Sequence, residues 1–214
     1  MNTIYYSPLF NELDKDFIDA FLKNSFVHLK KYQKGETAIH EGEICTEIGI
    51  VAQGKFEGLQ YSINGTRELM GIFEIGDIFG DVLAMTDGKH SPVTVNASTD
   101  GEVYFVPFAN FEKSGTNREI LLKNLIKIIS KKYFSLLFRA NCLSKRTIRE
   151  KILFYLSKQS EESKQTSFNI PFDRAALADF LNVDRSALSR ELSAMKKEKT
   201  IDFYKNTFKL LDNF

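Results

Sequence analysis

The chain of 214 residues contains 43% hydrophobic and 27% charged residues and carries a formal net charge of +1, as expected for a globular protein with one or two domains and a sizeable core. No apolar run reaches the roughly 18 residues that a membrane span needs, and residues 1–10 lack the layout of a signal peptide, so we expect a cytoplasmic protein. Cys45 and Cys142 lie far apart and in no metal-ligand spacing, which predicts two reduced thiols.

The first part of the chain is predicted to form a roll of short strands. Residues 9–23 predict a short amphipathic helix. Glycines then divide residues 32–108 into runs of strand length, such as "EIGIVAQG" and "RELMGIFEI". The pair Asn64-Gly65 is a strong hairpin signal, because both residues tolerate positive φ. Many short strands with frequent turns predict an antiparallel sandwich or roll.

Residues 80–97, "GDVLAMTDGKHSPVTVNA", begin like a loop that holds a phosphate. The loop opens with the pair Gly80-Asp81. The pair Ser91-Pro92 lies at the position where an anion is expected. Between the two pairs, Asp87-Gly88 predicts a turn. In the second pair, serine has no charge to offset a phosphate and proline has no N–H to donate to it. The loop is therefore not expected to hold an anion.

A long helix is predicted over residues 117–143, where apolar residues recur at helical spacing and neither Gly nor Pro interrupts them. One apolar line keeps alternating steps of four and three for three heptads, as in a coiled-coil seam. This seam consists of Leu122, Ile126, Ile129, Tyr133, Leu136, Ala140 and Leu143. A second line, Leu121, Leu125 and Ile128, suits packing on the core. We predict parallel homodimerisation through the seam; the alternative is a helix that lies only on its own core.

A second helix is predicted after a break in the long one. The sequence "TIRE" at Thr147–Glu150 matches the S/T-x-x-E capping box, so the helix should begin at Ile148 and cover "IREKILFYLSKQ". Residues 158–168 are polar and predict a loop. The break before Thr147 is expected to be a domain boundary and a hinge.

Residues 171–211 predict a winged helix-turn-helix. Asp173 and Asp184 can each cap a helix, and Asn182 between them tolerates the left-handed conformation that the turn requires. A hairpin around Lys205-Asn206 supplies the wing. The two helices are predicted over residues 174–181 and 185–196.

The second of these helices is the predicted DNA-reading element. Together with the hairpin, it supplies the candidate DNA contacts Arg185, Ser186, Ser189, Arg190, Lys196 and Lys205. Arginine can bind guanine O6 and N7, serine can bind a base edge or a phosphate, and the lysines suit phosphates. The alternative is that Arg190 only pairs with Glu191 or Asp184 on a solvated face.

The charge distribution agrees with a DNA-binding C-terminal part. Residues 141–214 contain 14 Lys+Arg and 10 Asp+Glu, a balance of +4. Residues 1–140 contain 15 and 18, a balance of −3. Such asymmetry favours contact of the C-terminal part with a polyanion.

A glycine-punctuated roll, a long helix, a break and a winged helix-turn-helix, in this order, resemble the cyclic-AMP receptor protein (Crp/Fnr) family of bacterial transcription regulators. The resemblance covers nearly the whole chain and is most specific in "LADFLNVDRSALSREL" and at Gly80-Asp81. It implies an α+β fold: an N-terminal cyclic-nucleotide-binding-like β-roll (residues 1–116), a dimerisation helix (117–144) and a C-terminal winged helix-turn-helix that binds DNA (145–214). In this family two recognition helices enter successive major grooves of a palindromic site, and an effector in each roll repositions them.

The resemblance also assigns roles to single positions on the DNA side. It places Arg185, Ser186 and Arg190 at the three main base-reading positions. The middle position is usually glutamate in this family. Ser186 is therefore expected to change the preferred base sequence.

On the effector side the sequence departs further from the family. Cyclic-nucleotide binders hold the ribose with a Gly-Glu pair, which Gly80-Asp81 matches with a shorter acid. They hold the cyclic phosphate with an Arg-Ser or Arg-Thr pair, which Ser91-Pro92 replaces. The resemblance therefore implies a sensor that does not bind cyclic AMP, and the effector, if there is one, stays open.

No iron–sulfur cluster or haem is expected. A cluster needs several cysteine ligands, and Cys45 is the only cysteine in the first 140 residues. A haem needs an axial ligand, and His28, His40 and His90 lie in no haem-type motif. All three are interpreted as ordinary histidines.

The leading hypothesis is a dimeric, sequence-specific transcription regulator that binds a palindromic duplex, with RNA polymerase as a further candidate partner. The alternative is a ligand-binding module whose helical tail is a protein-interaction surface. No spacing suggests a Ser-His-Asp, Cys-His or paired-carboxylate site, so an enzyme is not expected. The sequence leaves open whether the protein activates or represses, and at which genes.

Overall fold

The computed structural model describes residues 3–61, 67–86 and 90–211. The chain divides into two compact units, Met1–Lys131 and Lys132–Phe214. The predicted turns at Asn64-Gly65 and Asp87-Gly88 lie outside the described residues. The finer division into three parts stays a prediction.

The first unit contains eight described strands in two antiparallel sheets. They are β1 His28–Tyr32, β2 Thr37–Ile39, β3 Glu47–Gln53, β4 Phe56–Tyr61, β5 Arg67–Phe73, β6 Ile78–Phe79, β7 Thr94–Ala97 and β8 Gly101–Pro107. One sheet has the order β1-β8-β3-β6 and the other β2-β7-β4-β5. The predicted antiparallel roll is confirmed.

The helices of this unit are α1 Lys15–Leu22, α2 Asp81–Ala84 and α3 Phe108–Glu112. The helix predicted over residues 9–23 is therefore wrong in its first half. Pro8–Phe10 form a separate 3-10 turn. Asp14 caps α1 by accepting a hydrogen bond from the N–H of Phe17 at 2.7 Å, so the helix cannot extend further towards the N-terminus.

The long helix α4, Arg118–Leu143, contributes to both units. The second apolar line of this helix was predicted to pack on the core. The prediction is confirmed, because Leu121 and Leu125 are buried in the same core as Ile48 and Ile50 of β3. Asn124, between them, donates to the carbonyls of two residues near the N-terminus at 3.1 and 2.6 Å. These bonds satisfy a buried amide and hold the chain before α1 against α4.

The next helix, α5 Ile148–Ser163, begins with the predicted capping box. Thr147 accepts from the N–H of Glu150, and the Glu150 carboxylate accepts from the N–H of Thr147. The loop predicted over residues 158–168 is wrong, because α5 continues to Ser163 and a short strand, β9 Ser167–Asn169, follows.

The second unit is completed by α6 Arg174–Leu181, α7 Arg185–Lys197, β10 Ile201–Tyr204 and β11 Thr207–Leu210. The strands form a sheet with the order β10-β11-β9. All of these helices and strands share one core with α5 and the end of α4. The predicted winged helix-turn-helix is confirmed. Within the described ranges, no helix is both long and apolar enough to span a membrane.

Candidate nucleic-acid interface and effector site

Local hydrogen bonds fix both helices of the helix-turn-helix. Asp173 accepts a backbone N–H three residues further on, at 2.8 Å, and starts α6. Asn182 ends α6 in the left-handed conformation, with φ 48° and ψ 62°. Asp184 accepts from the N–H groups of Ser186 and Ala187 at 2.9 and 3.0 Å and starts α7. The predicted caps and the predicted turn are confirmed.

Helix α7 has one buried and one exposed side. Leu188, Leu192 and Met195, at helical spacing, are fully buried in the core of the second unit. The predicted base-reading side chains lie outside this buried face, and all are exposed: Arg185, Ser186, Ser189 and Arg190. A basic, polar edge on a helix anchored from behind has the chemistry that a major groove requires.

The acidic neighbours proposed as alternative partners of Arg190 are bonded to other residues. Glu191 accepts from Arg149 Nε at 2.6 Å, and Asp184 accepts from the Ser186 hydroxyl at 2.5 Å. Hydrogen bonds from Ser186 and from the helix backbone lower the pKa of Asp184, and the nearby charge of Arg190 lowers it further. Arg190 itself makes no hydrogen bond or ion pair within the described part of the chain. Its guanidinium group is available to a ligand.

Ser186 uses its hydroxyl proton within the protein. Because the hydroxyl donates to Asp184, only the lone pairs of Oγ are left for another partner. In this arrangement Ser186 can accept a hydrogen bond but not donate one.

The two candidate phosphate-binding lysines differ in their surroundings. Lys196 Nζ donates to the Phe203 carbonyl at 2.9 Å and pairs with Asp202 at 2.7 Å, so it ties α7 to β10. Lys205 lies in the hairpin turn with φ 51° and an exposed side chain. It has no ion pair with any described residue. Lys205 is therefore better placed than Lys196 to meet a phosphate.

Arg174, which the sequence did not single out, anchors the hairpin. Its Nη2 donates to the Lys205 carbonyl at 3.0 Å. Its guanidinium carbon lies 4.7 and 5.0 Å from the ring centroids of Phe203 and Phe208. Burial lowers the pKa of Arg174. This stacking holds the wing turn beside the start of α6.

Two further cations fix the turn that precedes α7. Arg139 Nε donates to the Phe180 carbonyl at 3.3 Å, and Lys151 Nζ donates to the Leu181 carbonyl at 3.0 Å. Both carbonyls belong to the last turn of α6, where no intrahelical donor is available. Sequence patterns could not reveal these contacts, since each joins residues 30 or more positions apart.

Gly80 allows the candidate effector loop to begin where it does. It has φ +71° and precedes α2. A Cβ at this position would lie 2.8 Å from Cys45 Sγ and 3.0 Å from the Glu47 carbonyl, closer than ordinary van der Waals contact. The next residue, Asp81, is buried, with 5% of its surface exposed. The start of the loop is thus packed against β3 and the chain before it.

The second pair of the loop is engaged within the protein. Ser91 is only 3% exposed, its hydroxyl donates to the Val93 carbonyl at 2.7 Å, and its N–H donates to the Glu43 carbonyl at 2.8 Å. Pro92 has no N–H. Neither residue offers a donor to an anion.

The interior of the roll is aromatic and apolar. The Phe79 ring lies 6.2, 5.4 and 6.1 Å from the rings of Phe56, Phe73 and Phe105. Burial raises the pKa of Tyr32 to about 12 and also raises the pKa of Cys45. Both groups are therefore neutral at pH 7, and the thiol is not activated.

The predicted seam on α4 is largely exposed. Ile126, Tyr133 and Leu136 are 61%, 59% and 63% exposed, whereas Leu122 and Ile129 pack partly on the core of the roll. Ala140 and Leu143 are also exposed. Beside the seam, Phe134 and Leu137, which the heptad pattern did not include, are exposed as well. Exposed apolar side chains grouped in this way are typical of interaction sites.

No metal site is evident in the described ranges. They contain no group of three or more His, Cys, Asp and Glu side chains that could hold an ion. His28 lies 3.6 Å from Glu47, and His90 Nδ1 lies 2.5 Å from the Gly42 carbonyl.

Comparisons with known proteins match both units. Residues 29–114 match the family described as "Cyclic nucleotide-binding domain", and residues 150–213 match the "Crp-like helix-turn-helix domain". The chain is 22% identical over 195 residues to the cyclic AMP receptor protein of Thermus thermophilus, covering 91% of this chain and 88% of that protein. It is 21% identical over 208 residues to the transcriptional activator protein FnrA of Stutzerimonas stutzeri, covering 95% and 83%. The solved structure of CprK complexed with OCPA has a TM-score of 0.70 at 15% identity, covering 92% of this chain and 91% of that chain; at this identity the likeness shows the fold alone.

Proposed function

The chain belongs to the Crp/Fnr family of transcription regulators, and we propose that it acts as a homodimer that binds a palindromic duplex sequence-specifically and that its roll does not bind cyclic AMP. The members of this family are DNA-binding regulators and not enzymes. We further propose that the protein is cytoplasmic, carries no iron–sulfur cluster or haem, and contacts RNA polymerase when bound to DNA.

The observation that carries the proposal is Arg190 on the exposed edge of α7, which has no hydrogen-bond or ion-pair partner among the residues that the structure describes. An arginine that only stabilised a solvated face would pair with Glu191, yet Glu191 is bonded to Arg149. Arg185 and Arg190 can each bind a guanine edge, and Ser189 can meet a base or a phosphate. Ser186, whose hydroxyl donates to Asp184, can accept from the amino group of a base. Lys205, and Lys196 if it leaves Asp202, would bind phosphates.

The exposed seam on α4 supports dimerisation. Two parallel copies of α4 would bury Ile126, Tyr133 and Leu136 against each other, and full burial of an exposed isoleucine or leucine side chain is worth about 1.5–3 kcal/mol. A dimer would also present two α7 helices, as a palindrome with half-sites one turn apart requires.

The effector loop supports a roll that does not accept cyclic AMP. Ser91 already donates both of its hydrogen bonds inside the protein, and Pro92 has none to give. The aromatic interior of the roll favours an uncharged, apolar effector or none.

Selection of duplexes from a random library by the purified full chain tests the proposal. We expect a palindromic sequence with half-sites about one helical turn apart, bound with an affinity that falls steeply with salt. Calorimetry with cyclic AMP is expected to show no heat. Absence of any enriched sequence would refute the DNA-binding proposal, and micromolar binding of cyclic AMP would refute the proposal for the roll.

A further inference from the structure

Arg149, the second residue of α5, binds two carboxylates of the recognition helix. Its Nε lies 2.6 Å from Oε1 of Glu191. Its Nη1 and Nη2 bind the two carboxylate oxygens of Glu198, the C-cap of α7, at 2.6 and 3.0 Å. A planar guanidinium group that binds a carboxylate with two parallel bonds fixes its orientation as well as its distance.

The spacing of the two glutamates lets one guanidinium group define the placement of α7. Glu191 and Glu198 are seven residues apart, which is about 10 Å or two helical turns, and so they lie on the same side of α7. Sliding α7 along α5, or rotating it about its own axis, would lengthen a bond to one of them. The buried side chains of Leu188 and Leu192 also resist such movement through close packing, but they make no directional bond, whereas the bonds of Arg149 fix an orientation.

The same contacts compensate negative charge next to the DNA-facing edge. Glu191 is the only acidic residue within α7, and Glu198 is the first residue after the end of α7. Hydrogen bonds from Arg149 hold the pKa of Glu198 below its usual range, so its carboxylate is ionised at neutral pH. Without Arg149, two uncompensated carboxylates would lie on a helix that has to approach a polyanion.

We propose that Arg149 is a positioning residue for DNA recognition: it sets the placement of α7 on α5 and compensates the negative charges of Glu191 and Glu198. The proposal rests on the DNA binding proposed above. In this proposal Arg149 acts on DNA binding only through Glu191 and Glu198 and does not itself contact DNA.

A double-mutant cycle with the full chain separates this role from a direct contact. The duplex is the one that the wild-type protein selects from the random library, and a scrambled duplex measures non-specific binding. Arg149→Gln is expected to lower specific affinity roughly tenfold at moderate salt. In a Glu191→Gln, Glu198→Gln background the same substitution should cost less than about twofold, because no carboxylate is left to compensate. Lys158→Gln is the matched control, since it removes a cation and the ion pair to Glu161 from α5 and touches no residue of α7.

The outcomes are distinguishable. An equal loss in both backgrounds would show that Arg149 contacts DNA directly and would overturn the proposal, as would no loss in either background. If Arg149→Gln alone does not fold, the comparison of the triple variant with the Glu191→Gln, Glu198→Gln double variant still decides, because neither leaves an uncompensated glutamate at these positions. A tenfold difference between those two would overturn the proposal. If the wild-type chain enriches no duplex, the proposed function fails instead.

Discussion

Replacing Gly80 with alanine tests the account of the effector loop. The substitution forces a side chain into the left-handed region, at φ +71°, which costs about 1–2 kcal/mol. The new Cβ would also lie 2.8 Å from Cys45 Sγ and 3.0 Å from the Glu47 carbonyl. Overpacking of this kind costs about 1–3 kcal/mol. Together the two effects should destabilise the roll by about 3 kcal/mol.

Gly42→Ala is the matched control, because Gly42 has a similar φ of +81° and no atom within 4 Å of the added Cβ. Only the backbone cost applies there. In thermal unfolding measured by calorimetry, we expect the midpoint temperature of the roll to fall by roughly 10 °C for Gly80→Ala and by roughly 5 °C for Gly42→Ala. Equal shifts would refute the inference that Gly80 is required by close packing as well as by its backbone conformation.

Four further results are expected. Because the Ser186 hydroxyl can only accept a hydrogen bond, the base that faces it in the selected duplex should carry an amino group, adenine N6 or cytosine N4. Removing that amino group should weaken DNA binding by the wild-type protein but not by Ser186→Ala. Selection of a guanine or thymine edge at this position would contradict the prediction. Native contacts lower the pKa values of Asp184 and Glu198, so the folded state binds fewer protons than the unfolded state. The second unit should therefore lose stability against urea as the pH drops below about 5. A urea midpoint that does not change with pH would contradict this. Leu136→Glu should shift sedimentation of the protein from dimer to monomer at micromolar concentration, and an unchanged dimer would place the interface elsewhere. Asp173→Ala should destabilise the second unit by about 1 kcal/mol through loss of a cap, which chemical denaturation would measure.

Local signals in the sequence predicted the helix starts well. Asp173, Asp184 and Thr147 cap the helices that follow them, because a capping side chain bonds to N–H groups only two or three residues away. Asn182 takes the predicted left-handed conformation for the same local reason. These features need no knowledge of the rest of the fold.

Two predictions were wrong, one over residues 158–168 and one over residues 9–23, and their physical reasons differ. Polar composition predicted a loop over residues 158–168, yet Phe168 pairs with Phe208 in the wing sheet and is buried there. The predicted helix over residues 9–23 followed apolar spacing and missed the cap at Asp14. Tertiary packing decided the first case and a local cap the second.

The residues of the candidate DNA-binding surface were predicted from the sequence, but the residues that hold this surface in place were not. Arg185 and Arg190 could be placed on one exposed edge from helical spacing alone. The contacts of Arg149, Arg139 and Arg174 join residues 31 to 49 positions apart. No sequence period records such contacts. The contacts of Lys196 with Asp202 and Phe203 join residues only six and seven positions apart, but they cross from a helix to a strand, so neither a helical nor a strand period indicates them.

The most direct test of the account compares Arg190→Ala with the wild-type protein on the selected palindrome and on single-base variants of it. We expect Arg190→Ala to lose about 1–3 kcal/mol of specific binding per subunit and to lose the preference at one base pair of each half-site, while binding to scrambled DNA stays nearly unchanged. Unaltered affinity and unaltered base preference would contradict the claim that α7 reads the DNA through Arg190.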